Sequence, residues 1–171
     1  MLRLHLLCSL ITGLGLASLA CGSDTITEQP PRMVRYSGTV NQPAAGGFLV
    51  YRIAGSWTLN PDGSLLSGTD TVQILDAKVY GQSGTALMVL KTKCVAIVGK
   101  DAWSQAEVVA SSDSQGFPIG TVSVLRLSLA NGTPKGGGGP HDIWYPAGNV
   151  CVDKPAAMPA FDLQNGVLTF P

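Results

Sequence analysis

From residue 33 onward, apolar residues occur in short β-prone segments that are separated by turn residues. In residues 121–129 they alternate with polar residues, and the alternation slips by one position at Leu125, which predicts a β-bulge there. Residues 85–98 are the most apolar stretch and are predicted to lie in the core, as one bent strand or as two strands joined at residues 91–93. No segment has a convincing amphipathic helical pattern.

The predicted β segments and the predicted turns alternate along the whole domain. The β segments are residues 33–40, 48–53, 56–59, 71–80, 85–98, 103–110, 121–129, 141–145, 149–152 and 167–170. The turns and loops are residues 41–47, 60–63, 81–84, 113–120, 131–140 and 164–166. About 7–10 short strands at this spacing predict an all-β fold, namely an antiparallel β-sandwich or barrel.

Residues 136–139 are four successive glycines within the predicted loop 131–140. The run is not a phosphate-binding loop, because it lacks the Gly-Lys-Ser/Thr ending and a following helix. Two explanations remain: a flexible loop, or a close approach of the backbone to a neighbouring element.

The N-terminal region has the pattern of an export signal followed by a tether. Residues 6–20 are mostly apolar and follow Arg3, as in a secretory signal peptide. Residues 22–32 are polar and contain Pro30 and Pro31, so they are predicted as a flexible tether. The predicted organisation is therefore a signal peptide (1–20), a tether that starts with its first mature residue (21–32) and a single β domain (33–171).

The end of this signal resembles the lipobox of bacterial lipoproteins, with Ala17, Ser18, Leu19 and Ala20 directly before Cys21. The resemblance implies cleavage before Cys21 and attachment of fatty acyl chains, such as palmitate, to that residue. It also implies a location in the cell envelope: the outer membrane of a Gram-negative cell, or otherwise the outer face of the cell membrane. The alternative is an ordinary secretory signal, cut after Ala17 or Ala20, in which Cys21 has no special role.

The charge balance excludes some partners. The chain has 11 basic and 11 acidic side chains, and loss of the signal removes only Arg3, which leaves 10 basic and 11 acidic. A nearly neutral domain gives no electrostatic reason to bind nucleic acid or anionic headgroups. The predicted membrane contact is therefore the lipid on Cys21, with no nucleic-acid partner.

Two of the four cysteines remain available for pairing once Cys8 leaves with the signal and Cys21 carries lipid. Cys94 and Cys151 are predicted to form a disulfide, since exported proteins fold in an oxidising compartment. A metal-binding or catalytic role is the alternative, but neither cysteine has a neighbouring histidine or a Cys-x-x-Cys spacing.

Residues 94–99 (Cys-Val-Ala-Ile-Val-Gly) and 148–152 (Gly-Asn-Val-Cys-Val) lie at two ends of a strand–loop–strand arrangement. This order, over residues 56–152, resembles β modules of secreted bacterial proteins. The resemblance implies a sandwich type of fold and no particular activity.

The sequence offers little catalytic or metal-binding chemistry. The mature part has one histidine, His141, beside Asp142, and a hydrolase-like site would need a serine such as Ser112 or Ser114 close to both. The more common arrangement is a solvent-facing histidine in a loop. Metal-ligand clusters are lacking in the sequence, so no metal and no cofactor are predicted.

Aromatic residues near loops are the best candidates for recognition. The predicted ligand or partner surface consists of Trp103, Phe117, Trp144 and Tyr145. Alternatively, these tryptophans fill the core, as is expected for Trp57. The leading hypothesis is a non-enzymatic, lipid-anchored envelope protein that binds an envelope partner or has a structural role. A glycan-binding or small-ligand-binding module that uses these aromatic residues is the second hypothesis, and a hydrolase-like enzyme around His141 and Asp142 is the third.

Overall fold

The computed structural model describes residues 30–44, 46–78 and 84–171. The predicted signal peptide, the lipidation residue Cys21 and the tether as far as residue 29 lie outside the described residues. The strands are β1 (Arg32–Ala44), β2 (Gly47–Leu59), β3 (Leu65–Lys78), β4 (Ala86–Val98), β5 (Asp101–Ser111), β6 (Val122–Ser128), β7 (Lys135–Pro140), β8 (Phe161–Asp162) and β9 (Gln164–Thr169). Two helices of one turn each, α1 (His141–Trp144) and α2 (Val150–Asp153), lie between β7 and β8.

All pairs of neighbouring strands are antiparallel, and the strand order is β8-β7-β6-β5-β4-β3-β2-β1-β9. The last two strands lie at opposite edges of the sheet, because β8 pairs with β7 and β9 pairs with β1. Only Leu163 separates β8 from β9 along the chain. One C-terminal segment thus joins the two edges, and the sheet becomes a nearly closed barrel. The prediction of an antiparallel all-β fold is confirmed, in its barrel form.

The interior of the barrel is built from alternate residues of each strand, since successive side chains of a strand point to opposite faces. On β1 and β2, for example, Val34, Tyr36 and Val40 are buried together with Ile53 and Trp57. The intervening residues are more exposed. The main apolar core therefore lies inside the barrel.

A second apolar cluster lies on the outer face of β5 and β6, under the segment that carries α1 and α2. It consists of Trp103, Val124, Val150 and Met158, with Trp144 and Tyr145 partly buried against it. The disulfide between Cys94 of β4 and Cys151 of α2 fastens this segment to the barrel, with 6.2 Å between the Cα atoms. The predicted pairing of these two cysteines is therefore confirmed.

Several sequence-based expectations for the strands need correction. The strands β1 and β2 continue through most of the predicted loop 41–47, because they pair with each other up to Ala44 and Gly47. Residues 141–144 and 150–153 are helical turns. No bulge occurs at Leu125, since β6 keeps a regular register with both neighbours. The apparent slip arises because Val124 on the outer face is also buried, under the second cluster.

The expected irregularity of the strand 85–98 is confirmed near its centre, where the register with β5 shifts between Thr92 and Cys94. The strand is continuous from Ala86 to Val98, so the alternative of two separate strands is wrong. Such a bulge lets one strand bend without leaving the sheet.

The glycine run is strand β7, not a loop, and its glycines are sites of close contact. A Cβ atom on Gly136 would lie 2.9 Å from Cδ1 of Ile53, and one on Gly137 would lie 2.6 Å from the carbonyl oxygen of Pro159. A Cβ atom on Gly139 would overlap the indole of Trp144. The second explanation, a close approach of the backbone to its neighbours, is therefore the correct one.

Candidate ligand-binding cavity

One half of the barrel interior is packed and the other half encloses a cavity of about 460 Å³. At the packed end the interior is filled by fully buried side chains, including Val34, Trp57, Leu59 and Leu127. The first strand enters the barrel at this end, where Arg32 pairs with Leu59. Towards the other end, inward positions carry small residues such as Ala86 and Ala106, and the space that they leave is the barrel cavity.

The mouth of the barrel cavity lies at the end opposite to the packed end. Its rim includes Leu49 at the start of β2, Ala77 near the end of β3 and Pro140 at the end of β7. Phe117, in the loop between β5 and β6, is half-buried at the same rim and packs against the interior core. The walls are mostly aliphatic, with Ile53, Val72, Ile74, Met88, Leu90 and Val108 among the lining residues.

The floor of the cavity carries a buried carboxylate, Asp70, on β3. Its Oδ1 accepts hydrogen bonds from the Tyr36 hydroxyl and from Nε1 of Trp57, the latter at 2.8 Å. Its Oδ2 accepts one hydrogen bond, from the Thr92 hydroxyl at 3.2 Å. The four residues come from four adjacent strands and all face inward, because strand alternation places them there. Asp70 and Tyr36 line the cavity, whereas Trp57 and Thr92 lie behind them.

Two glycines make room for this network. A Cβ atom on Gly55 would lie 2.5 Å from the Tyr36 hydroxyl oxygen and 2.7 Å from Oδ1 of Asp70. A Cβ atom on Gly68 would lie 2.6 Å from Oγ1 of Thr92. Any larger residue at either position would displace a donor or the carboxylate itself.

Burial governs the ionisation of Asp70 and Tyr36 at the floor of the cavity. Removal from water raises the pKa of the Asp70 carboxyl above its ordinary value, although the hydrogen bonds from Tyr36, Trp57 and Thr92 lower it. Burial, and then the adjacent carboxylate, raise the pKa of Tyr36 well above its ordinary value. Tyr36 is therefore a neutral hydrogen-bond donor at physiological pH.

Two more polar groups line the walls. The Tyr51 hydroxyl donates to Oε1 of Gln42 at 2.8 Å and accepts from the backbone N–H of Gly138 at 3.2 Å, so it connects β2 to β7. Burial raises the pKa of Tyr51. Ser104 is completely buried in the cavity wall, and its hydroxyl has no hydrogen-bond partner among the described residues.

Of the four aromatic residues that the sequence suggested as one surface, three lie in the outer cluster, and Phe117 lies apart from them at the rim of the barrel cavity. Trp103 is only 5% exposed, its Nε1 donates to the carbonyl of Pro155 at 3.2 Å, and the guanidinium of Arg126 lies 5.6 Å from its ring centroid. This corrects the expectation of a surface role for Trp103, because the α1–α2 segment covers it. Trp144 and Tyr145 are half-buried in the same outer cluster.

His141 does not form a triad with the serines that the sequence suggested. Its Nε2 lies 2.9 Å from the carbonyl oxygen of Gly148, and its Nδ1 lies 3.6 Å from Oδ1 of Asp142. Ser112 instead accepts a hydrogen bond from the backbone N–H of Leu87 at 2.9 Å. In the described part of the chain, no serine hydroxyl is hydrogen-bonded to His141, so the arrangement is that of a histidine that fastens a loop.

Two features are absent from residues 30–44, 46–78 and 84–171. Within these ranges, no group of three or more His, Cys, Asp or Glu side chains has the geometry to hold a metal ion. Within the same ranges, no helix has the length and apolar character needed to cross a membrane. Comparisons with protein-family models, with curated proteins and with solved structures gave no match for this chain.

Of the residues that line the cavity, the sequence singled out Phe117 as a candidate for binding, but not the residues of the floor. Asp70 precedes the predicted strand 71–80, yet it is in phase with Val72 and Ile74, which are inward-facing apolar positions. A charged residue in phase with the apolar face of a strand is the signal that would have identified it. Tyr36 shows the corresponding pattern on β1, between Val34 and Val40.

Proposed function

We propose that this chain is a non-enzymatic binding protein that holds a small, mainly apolar molecule in its barrel at the surface of the cell envelope. The observation that carries this proposal is the barrel cavity. Its volume of about 460 Å³ is typical of small-molecule sites, and its aliphatic walls carry few polar groups. Barrels of about eight strands are wide enough to hold one small ligand.

The cost of the cavity to the fold supports a binding role. Atoms that line an unfilled apolar space lose dispersion contacts, and a more tightly packed interior would be more stable. Ala86 and Ala106 both face this space and are both buried, so larger residues at these positions would fill it. Space that is maintained at a cost to stability is consistent with selection for a ligand.

The location rests on the N-terminal residues. The resemblance of residues 17–21 to a lipobox supports lipidation of Cys21, and two or three acyl chains give effectively permanent attachment. The variant Cys21→Ser should be released from membranes into the soluble fraction, as measured by fractionation and by mass spectrometry of the N-terminus. An unchanged membrane fraction would contradict the anchor and leave the cavity proposal untouched.

Binding is testable with N-phenyl-1-naphthylamine, which is uncharged at neutral pH and gains fluorescence in apolar sites. The mature full-length chain should bind it with saturation near one molecule per chain. Ala106→Trp should fill the barrel cavity and abolish this binding. Val109→Trp is the matched control, because Val109 lies on the same strand, is 43% exposed and does not line the cavity.

Two results would contradict the proposal. One is the absence of saturable binding to folded protein. The other is equal loss of binding in Ala106→Trp and Val109→Trp, because the probe would then report on the surface or on misfolding. Near-ultraviolet circular dichroism of each variant establishes that it is folded.

A further inference from the structure

We infer that the ligand carries a single positively charged amine on an apolar body, and that Asp70 is the counter-ion of this amine. The inference rests on the proposed function of the barrel cavity and adds the chemical class of the molecule. It follows from the charges of the cavity, the environment of Asp70 and an unpartnered hydroxyl group.

The charges that line the cavity have one sign. Among the described lining residues, the carboxylates are Asp70 at the floor and Asp113 at the rim, and no Lys, Arg or His is present. The basic side chains that form ion pairs do so outside the cavity, as in Lys93–Glu107 and Arg126–Asp101. An apolar cation that enters the cavity meets only favourable charge, whereas an anion meets only repulsion.

Asp70 has no cationic partner among the described residues. Its three hydrogen-bond donors, Tyr36, Trp57 and Thr92, are all neutral groups. A carboxylate accepts up to about four hydrogen bonds, and Oδ2 of Asp70 accepts only the one from Thr92. Asp70 is 5% exposed and lines the cavity. With three of about four hydrogen bonds made, its carboxylate can accept one more.

The Ser104 hydroxyl is a second polar group in the cavity wall. It is fully buried, lines the same cavity and has no partner in the described part of the chain. Buried hydroxyl groups are usually hydrogen-bonded, and this one is free to accept a hydrogen bond. A donor group of the ligand that faces this part of the wall can therefore pair with Ser104, while the ammonium pairs with Asp70.

An ammonium group would also stabilise the ionised form of Asp70. Burial disfavours its charged form, and a cation within a few ångströms favours it, so ligand binding and ionisation of Asp70 reinforce each other. A neutral alcohol gains only a hydrogen bond, and a fatty acid places a second carboxylate beside the first. We therefore expect the affinity for the cavity to be highest for an amine, lower for an alcohol and lowest for a carboxylate.

The experiment compares three molecules with the same tail as competitors of N-phenyl-1-naphthylamine: decylamine, decanol and decanoate. In the wild-type protein, decylamine should displace the probe at concentrations at least about tenfold lower than decanol, as expected for one charge-assisted hydrogen bond. Decanoate should be the weakest. In Asp70→Asn, decylamine and decanol should compete equally for the site, each compared at the probe affinity measured for that variant.

Asp76→Asn is the matched control, since Asp76 lies on the same strand, is exposed and does not line the cavity. It should keep the preference for decylamine. Probe binding without any preference for decylamine in the wild-type protein would overturn the amine inference and leave the binding function intact. A preference that survives in Asp70→Asn would overturn the role of Asp70. Failure of the probe itself to bind would remove the proposed function and this inference together.

Discussion

Replacing Asp70 by alanine should strongly destabilise the protein, because one side chain accepts hydrogen bonds from three interior donors. Each buried donor left without a partner costs about 1–3 kcal/mol. Removal of a desolvated carboxylate offsets part of this cost. We therefore expect Asp70→Ala to lower the free energy of unfolding by about 3–5 kcal/mol, a large share of the about 5–15 kcal/mol typical of a domain.

Asp70→Asn separates the hydrogen bonds from the charge. Its amide oxygen can accept from Tyr36 and Trp57, and its amide nitrogen can donate to the Thr92 hydroxyl. The variant therefore keeps the network without a buried charge. At neutral pH it should be at least as stable as the wild type.

The pH dependence of the free energy of unfolding shows whether the charge of Asp70 destabilises the fold. Burial raises the folded-state pKa of Asp70 above its ordinary value of 3.8, so the folded protein holds this proton more tightly than the unfolded chain. The resulting stabilisation is fully present below pH 3.8 and is lost as the pH rises through the folded-state pKa. Each unit by which the folded-state pKa exceeds 3.8 corresponds to about 1.4 kcal/mol. Between acid and neutral pH, the free energy of unfolding of Asp70→Asn should therefore rise by this amount relative to that of the wild type.

Urea unfolding followed by tryptophan fluorescence provides the measurement, at about pH 4 and about pH 8 with the slope of unfolding checked for each variant. Two outcomes would refute the reasoning. The first is Asp70→Ala within about 1 kcal/mol of the wild type, which would mean that the donors find other partners. The second is equal destabilisation of the Asn and Ala variants at about pH 8, which would mean that the charge itself holds the network.

Two further predictions concern the scaffold, and the same urea assay measures both. Replacing Cys94 and Cys151 together by serine should lower the free energy of unfolding by about 4 kcal/mol on the chain-entropy model. The reason is that the disulfide closes a loop with a sequence separation of 57 residues. A loss below about 1 kcal/mol would mean that the bond hardly restricts the unfolded chain. Gly137→Ala should cost about 1–3 kcal/mol, since its Cβ would lie 2.6 Å from the Pro159 carbonyl oxygen. Gly84→Ala, where a Cβ meets nothing within 4 Å, is the control, and equal effects of the two changes would contradict the packing explanation.

The fold class and the disulfide could be predicted from the sequence because both rest on local signals. Alternation of apolar and polar residues identified most strands, and the removal of Cys8 and Cys21 left one possible pair of cysteines. The glycine strand β7 could not be predicted, since its stability comes from partners distant in sequence, such as Ile53 and Pro159. Glycine has no strand preference of its own that would reveal it.

The candidate site depended even more on distant contacts. The barrel cavity exists because small residues on neighbouring strands, such as Ala86 and Ala106, face the same space, and the sequence does not show which strands are neighbours. Trp103 appeared available for binding because nothing in the sequence showed that α1 and α2 would cover the outside of the barrel. Loop aromatics are a general guide to binding surfaces, whereas strand pairing decides each individual case.

The entry of β1 at the packed end determines which end of the barrel an anchor would be attached to. With Cys21 lipidated as proposed, the roughly ten residues before β1 reach at most about 35 Å from the bilayer, and they attach to the face of the barrel farthest from its mouth. The mouth is then at the end of the barrel that carries no attachment. Under this proposal, a guest can enter and leave the barrel cavity without passing the point of attachment.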